Sequence, residues 1–177
     1  MDFLGPLPLD LLGRLALAVL LGGIVGIERE LSGKPAGLRT NILICLGSAL
    51  LMDLSITIGI VGDGQRVGDP ARIAAQVVSG IGFLGAGTIM QARGAVVGLT
   101  TAATIWTVAA IGLAVGAGHK AEAIAAALLV TLVLTALGWL ESWLLSFRRV
   151  VTGVVRLRGD VRFEEIASIF RASRIAI

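Results

Sequence analysis

The chain has 177 residues, 56% of them apolar and 15% charged, with a formal net charge of +3 and a mean hydropathy of +0.93. A soluble domain of this size has too little interior to hide that much apolar surface, and average domains carry about 25% charged residues, so a water-soluble globule is excluded and lipid is the expected solvent. The pI of about 10.0 does not argue for nucleic acid, because the surplus cations fall in loops and the tail, where membrane topology and anionic lipid account for them.

The opening stretch MDFLGPLPLDLLGRLALAV lacks a basic n-region and carries Asp2 and Asp10, so no cleaved signal peptide is expected. The first apolar segment, 9–27, contains Arg14. The loop GIERELSGKPAGLRTN follows, with Glu28, Arg29, Glu30, Lys34 and Arg39. It reads either as a solvated charged loop or as a latch or partner surface. The second segment, 37–60, holds Asp53 and the single cysteine, Cys45, which has no disulfide partner and is expected to fill space. The third, 73–92, runs without a charge from Arg72 to Arg93. The fourth, 94–118, is also uncharged; its Thr100, Thr104 and Thr107 are expected to bond the carbonyls of the preceding turn or a neighbouring helix. His119 stands in a short loop without a co-ligand, and the fifth segment, 123–140, lies between Glu122 and Glu141. A spanning helix needs about 20 apolar residues. The expected fold class is therefore an all-α polytopic membrane protein with five transmembrane helices over residues 1–146. In 147–177 the character changes: 150–160 reads as a strand and 161–177 as an amphipathic helix, a βα tail too short for a core of its own.

Five spans put the two ends of the chain on opposite sides. One side receives Arg29, Lys34, Arg39, Arg93, Arg148, Arg149, Arg156, Arg158 and Arg162; the other receives Arg66, Arg72 and Lys120. Positive charge stays in the cytoplasm, so the N-terminus is expected outside and the C-terminus inside.

Within QVVSGIGFLGAG, Gly80, Gly82 and Gly85 spell the G-x-G-x-x-G of a dinucleotide-binding turn. That motif needs a strand before it, a helix after it and an acid about 20 residues on. The first acid after Gly85 is Glu122, and the motif lies inside an uncharged run, so a nucleotide site is rejected. Two readings remain for Gly80, Gly82, Gly85 and Gly87. They let helices approach closely, as the pairs Gly22/Gly26, Gly82/Ala86 and Gly112/Gly116 also would, or they let the third helix bend or break at a cavity. The small-residue faces also suggest a homo-oligomer.

Arg14 and Asp53 are the costly residues in apolar surroundings, about 3 kcal/mol each at a helix centre. Counted along their helices they lie at similar depth, which permits either a structural ion pair or a cation or proton site at Asp53. Arg72, Gln76 and Ser79 share one face of the third helix. With Asp53 and Asp69 they would form a polar cluster near the outer surface. The two carboxylates are hard oxygen donors of the kind Mg2+ accepts, and are the candidate metal ligands. One histidine, one cysteine and no Ser/His/Asp set point away from an enzyme and from any other cofactor.

Three stretches, GIERE with GKPAGLRTNILICLGSALLM, then DPARIAAQVVSGIGFLGAGTIM, then GLTTAATIWTVAAIGLAVGAG, closely resemble the MgtC/SapB family of bacterial inner-membrane proteins, in register from about residue 22 to 118. The resemblance implies a membrane domain of about five helices. It implies a link to Mg2+ homeostasis and growth at low Mg2+, and in pathogens to survival inside macrophages. It also implies action either as a transporter or as a regulator of another membrane complex such as ATP synthase. The family's characteristic polar positions fall on Glu28, Arg39, Asp53, Arg72 and Gln76. Many members continue into a cytoplasmic ACT-like domain, of which the tail here would be an incomplete start.

Overall fold

The computed structural model describes residues 9–59, 68–92 and 95–146. The βα tail expected over 147–177 lies outside them. The chain divides into two units, 1–141 and 142–177, and the first holds every candidate site residue. In order the elements are α1 (Leu9–Leu31), α2 (Leu38–Ile58), α3 (Ala71–Thr88), β1 (Met90–Ala92), β2 (Ala95–Val97), α4 (Leu99–Gly116) and α5 (Lys120–Ser146).

The five helices agree with the expected number, but the third and fourth runs are used differently. Among the described residues α1, α2, α4 and α5 are long and apolar enough to cross a membrane; α3 is not. Arg72, Gln76, Ser79 and four glycines dilute its hydropathy, and the last residues of the uncharged run leave the helix. Thr88 turns its hydroxyl back to donate to the Gly85 carbonyl at 2.7 Å, and Ile89 is extended. Met90 then pairs with Val97, antiparallel, in a small hairpin. The β-branched Val96 and Val97 suit a strand. Gly98 begins α4 at φ +93°, where a side chain would be strained and its Cβ would strike the Thr88 carbonyl.

The core is built by α1, α2 and α4, with α2 in the middle. A Cβ on Gly22 of α1 would lie 2.7 Å from the Asn41 carbonyl and 2.8 Å from Cys45 Cβ, and one on Gly26 would lie 2.8 Å from Leu38 Cα. On the other side of α2, a Cβ on Gly112 of α4 would lie 2.8 Å from Ser48 Cβ and one on Gly116 2.8 Å from Met52 Cβ, each also meeting an α2 carbonyl. The pairings run in opposite chain directions for α1–α2 and in the same direction for α2–α4. Cys45, fully buried, sits where all three helices converge, so its small volume is what the junction needs. α3 leans on α4 through Ile81 and Gly85, the latter 3.5 Å (as a built Cβ) from Ala102 Cβ. α5 joins the core through Ala123 and Ala127, with Val130 and Leu134 packed alongside. Its Leu128, Leu129, Leu132, Leu137 and Trp139 are exposed, as lipid-facing residues are.

Candidate functional site

One end of the bundle gathers the charges expected at shared depth. Arg14 Nη1 donates to Asp53 Oδ1 at 3.1 Å and to the Gly116 carbonyl, the last of α4, at 3.0 Å. Its Nη2 pairs with Asp10, one turn earlier on α1, and Asp10 also receives Lys120 Nζ, the first residue of α5, at 3.2 Å. One guanidinium thus ties α1 to α2 and α4, and Asp10 extends the tie to α5. Arg14 and Asp53 side chains are 24% and 21% exposed, intermediate between a solvated and a buried pair. Matched depth points to Arg14 and Asp53 but not to Asp10 and Lys120. The four-residue spacing of Asp10 and Arg14 is the signal that marks the first of these.

Asp69, Arg72 and Gln76 lie at the same end but line a separate place. With Ser55, Ile58, Gly59, Gly68 and Ile73 they surround a cavity of about 360 Å³ between the end of α2 and the start of α3. The Ser55 hydroxyl donates to the Pro70 carbonyl at 2.8 Å and fixes α3 to α2. Asp69 Oδ1 accepts the Ala71 amide at 2.8 Å, capping the first turn of α3. Asp53 is not among the lining residues. Of the two carboxylates expected as metal ligands, Asp69 lines this cavity and Asp53 is held by Arg14; among the described residues no group of three or more His, Cys, Asp or Glu side chains could hold a metal ion. Ser79 is exposed further along α3 and does not line the cavity.

At the opposite end, Glu28 and Arg29 are both buried. Arg29 grips the Glu28 carboxylate with Nε at 2.7 Å and Nη2 at 3.1 Å, and Ser32 adds its hydroxyl at 2.8 Å. Glu30 Oε2 accepts the Leu38 amide at 3.0 Å, placing a carboxylate on the first turn of α2. Fully buried Asn41 donates Nδ2 to the carbonyls of Ala36 at 2.5 Å and Gly37 at 2.9 Å, while its Oδ1 has no hydrogen-bond partner. Hydrogen bonds thus fix this turn, and that from Leu38 to Glu30 ties α2 to the end of α1. Arg39 is exposed. Asn41 and Glu30 carry roles here that spacing alone does not reveal.

The glycines divide as well. Gly22, Gly26, Gly112 and Gly116 are consumed in contacts within the chain, so the α1 and α4 faces are internal rather than surfaces for a second copy. Of the four on α3 only Gly85 packs; a Cβ at Gly80, Gly82 or Gly87 would meet nothing within 4 Å. The helix is unbroken from Ala71 to Thr88, so the glycines do not interrupt it. Thr104 and Thr107 bond the carbonyls of Thr100 and Ala103, each at 2.8 Å, as expected. His119 pairs with Glu122 at 3.3 Å in an exposed turn.

Known proteins are similar in sequence to this chain. The model of the MgtC family matches residues 15–143, more than half the chain. The chain is 50% identical over 123 residues to the Escherichia coli (strain K12) protein named "Putative magnesium transporter YhiD", covering 68% of this chain and 57% of that one. It is 42% identical over 133 residues to protein SapB of Bacillus subtilis (strain 168), covering 73% and 57%. It is 46% identical over 117 residues to protein MgtC of Salmonella typhimurium (strain LT2), covering 66% and 48%. The chain thus matches about half the length of these relatives. No solved structure gives a significant match.

Proposed function

The chain belongs to the MgtC family, and we propose that it serves Mg2+ homeostasis and adaptation to low Mg2+ in a bacterial inner membrane, as a non-enzymatic regulator that associates with protein in the bilayer. In this reading α3 crosses with the four more apolar helices, its polar residues facing protein or headgroups, and the Arg14 end lies toward the periplasm, an orientation supported by the excess of Lys and Arg on the opposite side. The observation that carries the regulatory reading is the state of Asp53. Its carboxylate is held by Arg14, whose guanidinium also binds the end of α4. A cation at Asp53 would have to displace the group that joins three helices. The intramembrane charge is then structural, and the surface left for a partner is the open face of α3. A second copy of the chain or another membrane complex would cover it.

The rival reading, an ion carrier, is favoured by the name of the E. coli relative. Purified full chain in liposomes loaded with a Mg2+-sensitive dye separates the two. The regulator gives no influx above empty liposomes while its gene still rescues growth at low Mg2+. Influx that Asp53→Asn abolishes, with the variant still folded, overturns the proposal and makes Asp53 a transport site.

A further inference from the structure

The cavity between α2 and α3 is lined by none of the residues of the Arg14 network. Asp69 and Arg72 carry opposite charges three residues apart and line the same space, yet among the described residues they do not pair, and neither Arg72 nor Gln76 has a hydrogen-bonding partner for its side chain. Two donor groups one helical turn apart, a guanidinium and a carboxamide, thus stand free beside a carboxylate. The remaining wall is apolar, from Ile58 and Ile73, and the back is a close backbone crossing where Gly68 donates its amide to the Gly59 carbonyl at 3.3 Å. Volumes of about 300 Å³ and more accommodate small ligands.

The position narrows the ligand. The cavity lies where α2 ends and α3 begins, the level at which a spanning bundle meets lipid headgroups. Along α3, helical spacing puts Gly80 and Gly87 on the same side as Gln76, flanking the exposed Phe83, and a Cβ at either glycine would touch nothing. The exposed Phe83, standing clear between two glycines, therefore offers an apolar surface next to the cavity against which an acyl chain can lie. We propose that this cavity binds the zwitterionic headgroup of a phospholipid: Arg72 and Gln76 take the phosphodiester oxygens, Asp69 takes the ammonium, and an acyl chain lies against Phe83 on the same face of α3. Guanidinium is the side chain best matched to phosphate oxygens. The headgroup contacts do not depend on whether the chain is a regulator or a carrier, but the acyl chain would lie on the α3 face that the regulatory reading gives to a protein partner, so that part rests on the face being open to lipid.

The test is native mass spectrometry of the delipidated full chain in detergent, titrated with dioleoyl-phosphatidylethanolamine. Dioleoyl-phosphatidylglycerol keeps the phosphodiester without the ammonium, dioleoylglycerol lacks both, and inorganic phosphate competes as a free anion. Phosphatidylethanolamine is expected to bind in preference to the other two lipids. Arg72→Gln is expected to weaken it about tenfold, the scale of a lost charge-assisted hydrogen bond. Asp69→Asn is expected to remove the preference over phosphatidylglycerol. Should Arg72→Gln fail to fold, Gln76→Leu is expected to weaken binding several-fold and decides the matter in the same way. Equal binding of dioleoylglycerol, undiminished binding by the folded variants, or displacement of lipid by inorganic phosphate at matched concentration would each overturn the assignment; the last would make it a free-anion site.

Discussion

Gly112 and Gly116 on α4 and Gly80, Gly82 and Gly87 on α3 are the same residue in neighbouring helices with opposite surroundings. On α4 the missing side chains let α2 come so close that its carbonyls occupy the space a Cβ would need. On α3 the missing side chains leave empty space. In lipid, where no hydrophobic force drives helices together, close backbone approach is a principal source of association. The contrast therefore sorts the molecule into a fixed unit of α1, α2 and α4 and a helix whose outer face is unused among the described residues. Small-residue spacing shows that close approach is available; only the neighbour decides whether it is used.

Adding the same bulk to both helices puts this division under the greatest strain. Gly112→Leu must push α2 from α4 against backbone that has nowhere to go, and is expected to cost about 3 kcal/mol or more, at the upper end of overpacking effects. Gly82→Leu is expected to leave stability nearly unchanged. Thermal unfolding in detergent reads both, and equal losses would refute the division. Cys45→Phe, at the three-helix junction, should resemble Gly112→Leu, whereas Cys45→Ala should be mild.

The polar ties come next in size. Asp53→Asn leaves Arg14 with Asp10 and the Gly116 carbonyl, so the expected loss is about 1–2 kcal/mol, between the ranges for exposed and buried pairs. A double-mutant cycle with Arg14→Gln isolates the pair, and a coupling below about 0.5 kcal/mol would remove Asp53 from the clamp. At the other end, Glu30→Ala deprives the first turn of α2 of its acceptor and is expected to cost about 1 kcal/mol, as lost helix caps do. Faster exchange of the Leu38 amide would locate that effect.

The spans are legible in the sequence because uncharged runs are hard to mistake, and Arg14 and Asp53 are legible because two charges at matched depth in lipid need each other. That Asp69, Arg72 and Gln76 line a cavity without Asp53 is not legible there. Depth along a helix is readable from residue number, but direction around the bundle depends on which faces pack. The paired strands Met90–Ala92 and Ala95–Val97 are hidden for a related reason: a short stretch at the end of an apolar run fits a strand as well as a helix, and only the left-handed Gly98 marks the break. Asn41 escapes notice because its burial comes from α1 closing over it through Gly22 and Gly26, a tertiary fact.

The smallest effect on stability carries the most information about function. Gly82→Ala should be neutral to stabilising by up to about 1 kcal/mol, since helix propensity improves and no atom lies in the way. Bulk at the same place separates stability from activity. If protein docks on the open face of α3, Gly82→Leu and Gly82→Phe keep the unfolding temperature of the wild type and lose rescue of growth at low Mg2+, with Phe worse than Leu. If lipid alone covers that face, both variants rescue growth in full, because acyl chains rearrange around a new side chain where a packed helix does not. Full rescue would leave the regulator without its surface while leaving the three-helix core untouched.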